Sequence, residues 1–270
     1  EKHWGNCKLQ KRPKRKQSSN VQYLLFEDMI VDVEKTDESV IDVQNSLLTK
    51  YSTKLIDSSD VGLETNKIYC GDTVETMGKI NEGTIDLILT SPPYLASIRQ
   101  DNHKYPGAKD QIKDNQSVDD YLEWIVENFK QYERILKKDG VVVFNFSYTT
   151  FNPSLPYFLI NEEFNHTDFR IYDTFAWKKK SAMPVSGHPN RVTRIVEMVY
   201  IFAKTPYFKA NKTVSSVSRT GQKYYNNYYN FIEARNNDGK VEGHEATFST
   251  DFASFFIDLY SKENIEYVTK

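Results

Sequence analysis

The chain has 270 residues, enough for one large domain or a domain with an attached lobe and enough to bury a sizeable core. A formal charge of −2 excludes a globally basic nucleic-acid binder, so any basic surface must be local, and the lack of a run of about 18 apolar residues excludes a membrane span. The hydrophobic fraction is a modest 39% with 14% aromatics, and Cys7 and Cys70 stand far apart with no metal spacing, which argues for a reducing compartment, the cytoplasm.

Residues 1–65 read as an N-terminal extension without chemistry. The first residues are charged and lack an apolar stretch, so no secretory signal is expected, and an initial Glu is what a sequence starting inside a longer chain would show. Lys11-Arg12-Pro13-Lys14-Arg15-Lys16 is a basic run, readable as a solvated tail or a nonspecific phosphate contact. Val21–Val33 is apolar with acidic punctuation, and Val40, Val43, Leu47 and Leu48 have helical spacing; one or two helices are expected here.

From Asn66 the rhythm changes. Lys67-Ile68-Tyr69-Cys70 reads as a short strand and Gly71-Asp72 as its tip. Thr73–Ile80 reads as a helix capped by Thr73, with Val74, Met77 and Ile80 on one side. Asp72 is either a helix cap or, as a carboxylate just beyond a strand, an acceptor for a ribose or adenine group. A turn at residues 81–84 leads into Ile85-Asp86-Leu87-Ile88-Leu89-Thr90, apolar enough for a strand covered on both faces. Ser91-Pro92-Pro93-Tyr94 then ends it, because two prolines remove two donors and fix two φ angles. This stiff corner offers the Ser91 hydroxyl, the Pro92 carbonyl and the Tyr94 ring: two acceptors and a stacking surface at the carboxyl end of a strand, where open α/β sheets place ligands. Such a corner suits the exocyclic amine of a nucleobase. Two acceptors drawing on its hydrogens return the nitrogen lone pair from the ring, and a flat side chain holds the base once it leaves the stack.

The long polar connection Ala96–Ser117 is expected to close over a base or touch a strand; His103 in it reads as a loop histidine rather than a base. Val118–Leu136 is an amphipathic helix, ended by Lys137-Lys138-Asp139-Gly140, and Val141–Phe146 a buried strand. Pro153–Ile160 is expected to be helical, Phe169–Trp177 and Ile195–Ala203 to be strands, and the alternation to give a mainly parallel sheet. Residues 178–194 form an irregular loop with five cations and no acid, either a solvated loop or a DNA-facing one in which Lys178, Lys179, Lys180, Arg191 and Arg194 touch phosphates or bases. Residues 205–243 combine Tyr224, Tyr225, Tyr228, Tyr229 and Phe231 with Arg219, Lys223 and Arg235, a composition suited to nucleic-acid contact or to a small lobe with exposed tyrosines. Ser249 is the expected cap of a last helix lined by Phe252, Phe255, Phe256 and Leu259.

Thr90-Ser91-Pro92-Pro93-Tyr94 with its upstream Gly71-Asp72 resembles the motifs of the DNA amino-methyltransferases of the permuted (beta-type) group, and its leading Ser is typical of the cytosine-N4 members. Trp177, Lys179, Pro184, Arg194 and Glu197 continue the resemblance, which covers about residues 66–262. It implies an α/β fold with a Rossmann-like S-adenosylmethionine-dependent methyltransferase sheet and a small target-recognition lobe: a catalytic core at 66–204, a recognition region at 205–243 and the start of a donor-binding part at 244–270. It implies catalytic roles for Ser91, Pro92, Pro93 and Tyr94, donor contacts from Asp72, Thr90, His244 and Phe248, and double-stranded DNA as partner. Glu245 stands where the family usually has Pro after the His. The family's next element is a Gly-rich turn around the donor, yet none of the 11 glycines forms Gly-x-Gly. That leaves three explanations: a sequence cut short, a second polypeptide carrying the Gly-rich donor loop, or a binding module descended from an enzyme. The expected reaction is methylation of cytosine N4 within a restriction-modification system, with adenine N6 (or RNA) and a noncatalytic DNA-binding subunit as alternatives.

Overall fold

The computed structural model describes residues 23–26 (backbone), 62–69, 71–95, 116–182, 184–185, 187, 189–208, 210–239 and 247–261. The basic run at 11–16, the apolar segment at 40–48, both cysteines, the connection from residue 96 to 115 with His103, and His244 lie outside them.

In chain order the elements are β1 (Tyr23–Phe26), α1 (Thr73–Met77), β2 (Ile85–Thr90), α2 (Val118–Ile135), β3 (Leu136–Phe146), α3 (Leu155–His166), β4 (Arg170–Lys179), β5 (Val196–Ala203), β6 (Val214–Val217), β7 (Lys223–Tyr225), β8 (Phe231–Ala234) and α4 (Thr250–Tyr260). Six strands form one sheet in the order β1-β2-β3-β5-β4-β8, and β6 and β7 pair as a separate antiparallel ribbon.

Strand periodicity explains why the central strands read as unbroken apolar runs. In β2 and β3, Ile88, Val142, Phe144 and Phe146 point to one face, where they meet Tyr121, Ile125 and Phe129 of α2 and Leu155 and Leu159 of α3. Leu87, Leu89, Val141 and Val143 point to the other, joining Phe175, Trp177, Val199 and Ile201 under Phe252 and Phe256 of α4. Phe129 anchors the first face, its ring centroid 5.1 Å from Phe144 and 5.0 Å from Phe202, both edge-to-face.

The sheet is mainly parallel as expected, with β1, β2, β3, β4 and β8 in one direction, but several other expectations are corrected. No parallel crossover leads into β5, which is antiparallel to both β3 and β4. An apolar run buried on both faces carries no direction; the missing clue was that no helical segment separates β4 from β5, as a parallel crossover requires. The apolar stretch near residue 21 yields a strand paired with β2, so part of the N-terminal extension belongs to the main sheet. Lys67–Tyr69 is not a strand, and Ile68 is 66% exposed. α1 is capped by Asp72, whose Oδ1 accepts from the Glu75 N–H at 3.1 Å, rather than by Thr73. β8, within the expected recognition region, extends the sheet beside β4.

Lys137–Gly140 does not follow α2 as a loop. β3 starts at Leu136, and the register jumps from Ile85↔Leu136 to Leu87↔Val141, so the four residues bulge opposite Asp86. Lys137 Nζ bonds Asp86 Oδ2 at 2.7 Å across the bulge. Gly140 is needed here, since a Cβ would lie 2.7 Å from Leu136 Cγ and 3.0 Å from the Asp86 carbonyl. The cations serving helix ends are others. Arg134 donates to the Met77 carbonyl at the end of α1 and to the Ile80 carbonyl beyond it, and Lys204 to the Glu133 and Leu136 carbonyls at the end of α2.

On α3, Glu163 is 0% exposed and neither carboxyl oxygen has a hydrogen-bond partner among the described residues. Burial, then the negative charges of Glu162 and Glu133, push its carboxyl up to about 9 from an ordinary 4.5. Between those values the folded state keeps a proton that the unfolded state releases, so stability falls as pH rises through this window, by a total on the order of 3 kcal/mol at neutral pH. Glu163→Gln should flatten that slope: its urea midpoint is expected to exceed that of the parent at pH 8 and to converge with it near pH 5. Parallel pH profiles for the two proteins would refute this.

Candidate active site

At the carboxyl end of β2 the chain turns out of the sheet at Ser91. Thr90, the last strand residue, is 3% exposed, and Pro92 behind it is buried. Leu95 closes the corner at φ +52°, a left-handed conformation unusual for a branched side chain. It is held there from two directions: its side chain is fully buried, and its carbonyl accepts from Asn152 Nδ2 at 2.6 Å. The Tyr121 hydroxyl of α2 donates to the Pro93 carbonyl. The corner is therefore rigid both covalently and through its neighbours.

The same alternation that builds the core brings a polar cluster to this end of the sheet. Asn145 follows Val141 and Val143 on the α4 side, and Trp177 faces Glu197 across the β4–β5 pair, with Lys179 two residues on. Tyr94 Oη donates to Glu197 Oε2 at 3.0 Å and accepts from Asn145 Nδ2 at 2.8 Å and Ser91 Oγ at 3.3 Å. Asn145 Nδ2 also reaches Glu197 Oε2 at 3.1 Å, which fixes the orientation of its amide. The other Glu197 oxygen takes the Lys179 ammonium, itself 5.1 Å from the Trp177 ring centroid. Burial and the adjacent Glu197 charge hold the Tyr94 phenol well above its ordinary range, so it stays protonated. The Tyr94 ring packs edge-on against Phe146, centroids 5.1 Å apart. Asn145 Oδ1 is buried with no donor among the described residues, an acceptor that an N–H of a bound ligand would satisfy.

The residues expected at the donor site are less closely joined. Asp72 spends one carboxylate oxygen on the α1 N-terminus. Thr90 lies at the tip of β2 beside the corner. Phe248 is half-buried with its centroid 5.1 Å from Phe252. Of the cations expected to face DNA, Lys178 pairs with Glu233 of β8 at 2.9 Å and Lys179 belongs to the Glu197 cluster. Lys180, Arg191 and Arg194 are exposed. Arg194 lies 4.3 Å from the Tyr148 ring centroid, and Arg191, Arg194, Lys179 and Asn236 line a cleft of about 320 Å³ that meets the Glu197 cluster at Lys179. Arg219 and Lys223 are exposed on the β6–β7 ribbon and its turn, and Tyr224, Tyr225, Tyr228 and Tyr229 are exposed in and after β7.

Two contributors went unread in the sequence. Asn145 is the lone polar residue in Val-Val-Val-Phe-Asn-Phe, and a polar side chain in a strand buried on both faces needs a reason. Tyr121 looked like one more apolar position of α2, and nothing in its spacing marks the hydroxyl bond to Pro93.

The sheet with helices on both faces and a proline corner at a strand's carboxyl end define a methyltransferase-type α/β fold. The solved PvuII DNA methyltransferase (cytosine-N4-specific) shares it, with a TM-score of 0.53 at 23% identity over 72% of this chain and 70% of that one. The DNA methylase model of the N6/N4 type matches residues 85–265, and the chain belongs to that family. It is similar to the type II methyltransferase M.SfiI of Streptomyces fimbriatus (27% identity over 163 residues) and to M.BglII of Bacillus subtilis (28% over 149 residues). Each match covers 53% of this chain but only 37% of the relative's length. M.SmaI of Serratia marcescens is 33% identical over 102 residues, 36% of this chain and 33% of that one. Among the described residues no helix is long and apolar enough to cross a membrane, and no cluster of His, Cys, Asp and Glu could hold a metal ion.

Proposed function

We propose that the protein methylates the exocyclic N4 amine of cytosine in double-stranded DNA, in the cytoplasm, as the modification enzyme of a restriction-modification system. The observation that carries this reading is the corner itself: a serine hydroxyl, a proline carbonyl and a tyrosine ring, held immobile at a strand tip by Tyr121, Asn145, Asn152 and Glu197. Family membership and the names of the similar type II methyltransferases support it, and the fold of the cytosine-N4-specific PvuII enzyme favours N4 over adenine N6.

S-adenosylmethionine supplies, when bound, an electrophilic methyl on a sulfonium sulfur. Thr90 and Phe248, with Asp72 and His244, would hold it, and the orphaned Asn145 acceptor fits a site that receives an N–H group. Ser91 and the Pro92 carbonyl accept from the target amine, which localises the nitrogen lone pair. Pro93 fixes the turn, and Tyr94 supports the extruded base. No covalent intermediate with the protein is needed; the gain comes from placing the amine and keeping it there. The basic cleft with Arg191 and Arg194, and the ribbon carrying Arg219 and Lys223 among exposed tyrosines, provide phosphate and base contacts.

The test is methyl transfer from labelled S-adenosylmethionine to defined duplexes, followed by digestion to nucleosides. N4-methylcytosine is the expected product; N6-methyladenine would move the substrate assignment, and DNA binding without any transfer would overturn the reading. Running the assay on the full-length chain alone also asks whether a second polypeptide is required.

A further inference from the structure

We infer that Glu197 is a positioning residue that sets the direction of the hydrogen-bond chain Ser91–Tyr94–Glu197, so that the Ser91 hydroxyl presents only lone pairs to the reacting amine. The inference rests on the proposed amine methylation and concerns what makes Ser91 an acceptor. A serine hydroxyl can give or take a hydrogen bond, and nothing in its own chemistry decides which. Here the choice is imposed from two residues away. The Glu197 carboxylate, paired with Lys179, can only accept. The Tyr94 proton must therefore point at Glu197, 3.0 Å away. Asn145 Nδ2, which can only donate, occupies one side of the phenol oxygen at 2.8 Å and reinforces that direction. The Tyr94 oxygen then has only acceptor capacity left for Ser91, and the Ser91 hydrogen turns toward it at 3.3 Å. Both Ser91 lone pairs remain for the amine. A donor at position 197, with Asn145 kept in its present orientation, would reverse the chain: Tyr94 would give its proton to Ser91, and Ser91 would then point its own hydrogen at the amine, opposing the release of the nitrogen lone pair.

Charge and shape therefore predict different rankings of variants. Glu197→Gln keeps the size but supplies an NH2 donor; Glu197→Asp is shorter but remains acceptor-only. A purely structural role ranks Gln above Asp, whereas a direction-setting role ranks Asp above Gln. Glu197→Gln should lower kcat by roughly 100-fold with little change in KM for DNA, the scale expected when a polarising contact becomes an opposing one. Because loss of the Lys179 pair could also favour Asp, the deciding measurement is a cycle with Tyr94→Phe, which removes the phenol and breaks the chain. On that background Glu197→Gln should cost less than about threefold. An equal cost on both backgrounds, or Gln performing as well as Asp, overturns the inference while leaving the methylation reading intact. An independent readout uses the full-length protein without donor or DNA. The Tyr94 hydroxyl proton should give a downfield NMR resonance in the parent and in Glu197→Asp that disappears in Tyr94→Phe and moves upfield in Glu197→Gln. An unmoved resonance in Glu197→Gln refutes the chain direction whether or not the protein proves to be a methyltransferase.

Discussion

Ser91→Ala is expected to reduce methyl transfer by roughly 10²–10³-fold, the cost of losing one preorganised polar contact to a reacting group, while changing DNA affinity by no more than a few fold. The structure predicts this separation because alanine fits the corner. The two prolines still fix the turn, Tyr121 still holds the Pro93 carbonyl, and Asn152 still holds Leu95. Tyr94 keeps its bonds to Asn145 and Glu197, so the ring stays where the base would stack. On the proposed reading, what disappears is one acceptor for the amine, and with it part of the lone pair available for attack. The loss should fall on kcat, measured in a single turnover at saturating DNA and donor, while binding followed by fluorescence anisotropy stays near the parental value. Equal losses in turnover and affinity would place Ser91 in DNA binding rather than in the transfer step.

How much of this was legible beforehand depends on what each residue's neighbours allow. Ser-Pro-Pro-Tyr could be placed because proline chemistry is local: it dictates a rigid turn wherever it occurs. The strands Leu87–Leu89, Val141–Phe146 and Met198–Ala203 were visible because burial on both faces leaves a run with few polar residues. Strand direction was not, because that apolarity is the same read either way; β5 therefore came as an antiparallel insertion between β3 and β4. The bulge at Lys137–Gly140 was misread as a helix stop because Lys-Lys-Asp-Gly has the composition of one. Only the tertiary contact with Asp86 shows its actual use. Within the site, Glu197 was legible as part of the family pattern, and Asn145 could have been flagged as the single polar residue in an otherwise apolar strand. Their convergence on one phenol oxygen depends on strand order, which no local pattern encodes.

The second large effect concerns the packing behind the site. Phe252→Ala should lower the stability of the fold by about 3–5 kcal/mol, the range for deleting a buried ring, out of the roughly 5–15 kcal/mol by which a protein is usually stable. Phe252 is 0% exposed, and its ring centroid lies 4.4 Å from Trp177 and 5.1 Å from both Phe248 and Phe256. Its loss would open a ring-sized void at the centre of the α4 side of the sheet, where the remaining aromatic rings are too stiff to close it. A drop in the thermal midpoint of about 10 °C is expected, with a matching fall in the urea midpoint and little change in the slope of unfolding. The defect should also reach the chemistry. Trp177 pairs in register with Glu197, and the Trp177 ring flanks the Lys179 ammonium that neutralises Glu197, so loosening Trp177 releases the group on which the Tyr94 bond depends. Methyl transfer by Phe252→Ala well below its midpoint is therefore expected to be reduced, and Phe252→Leu, which refills most of the void, to recover both properties together. Full activity in a markedly destabilised Phe252→Ala protein would show that the α4 packing and the Glu197 cluster are independent.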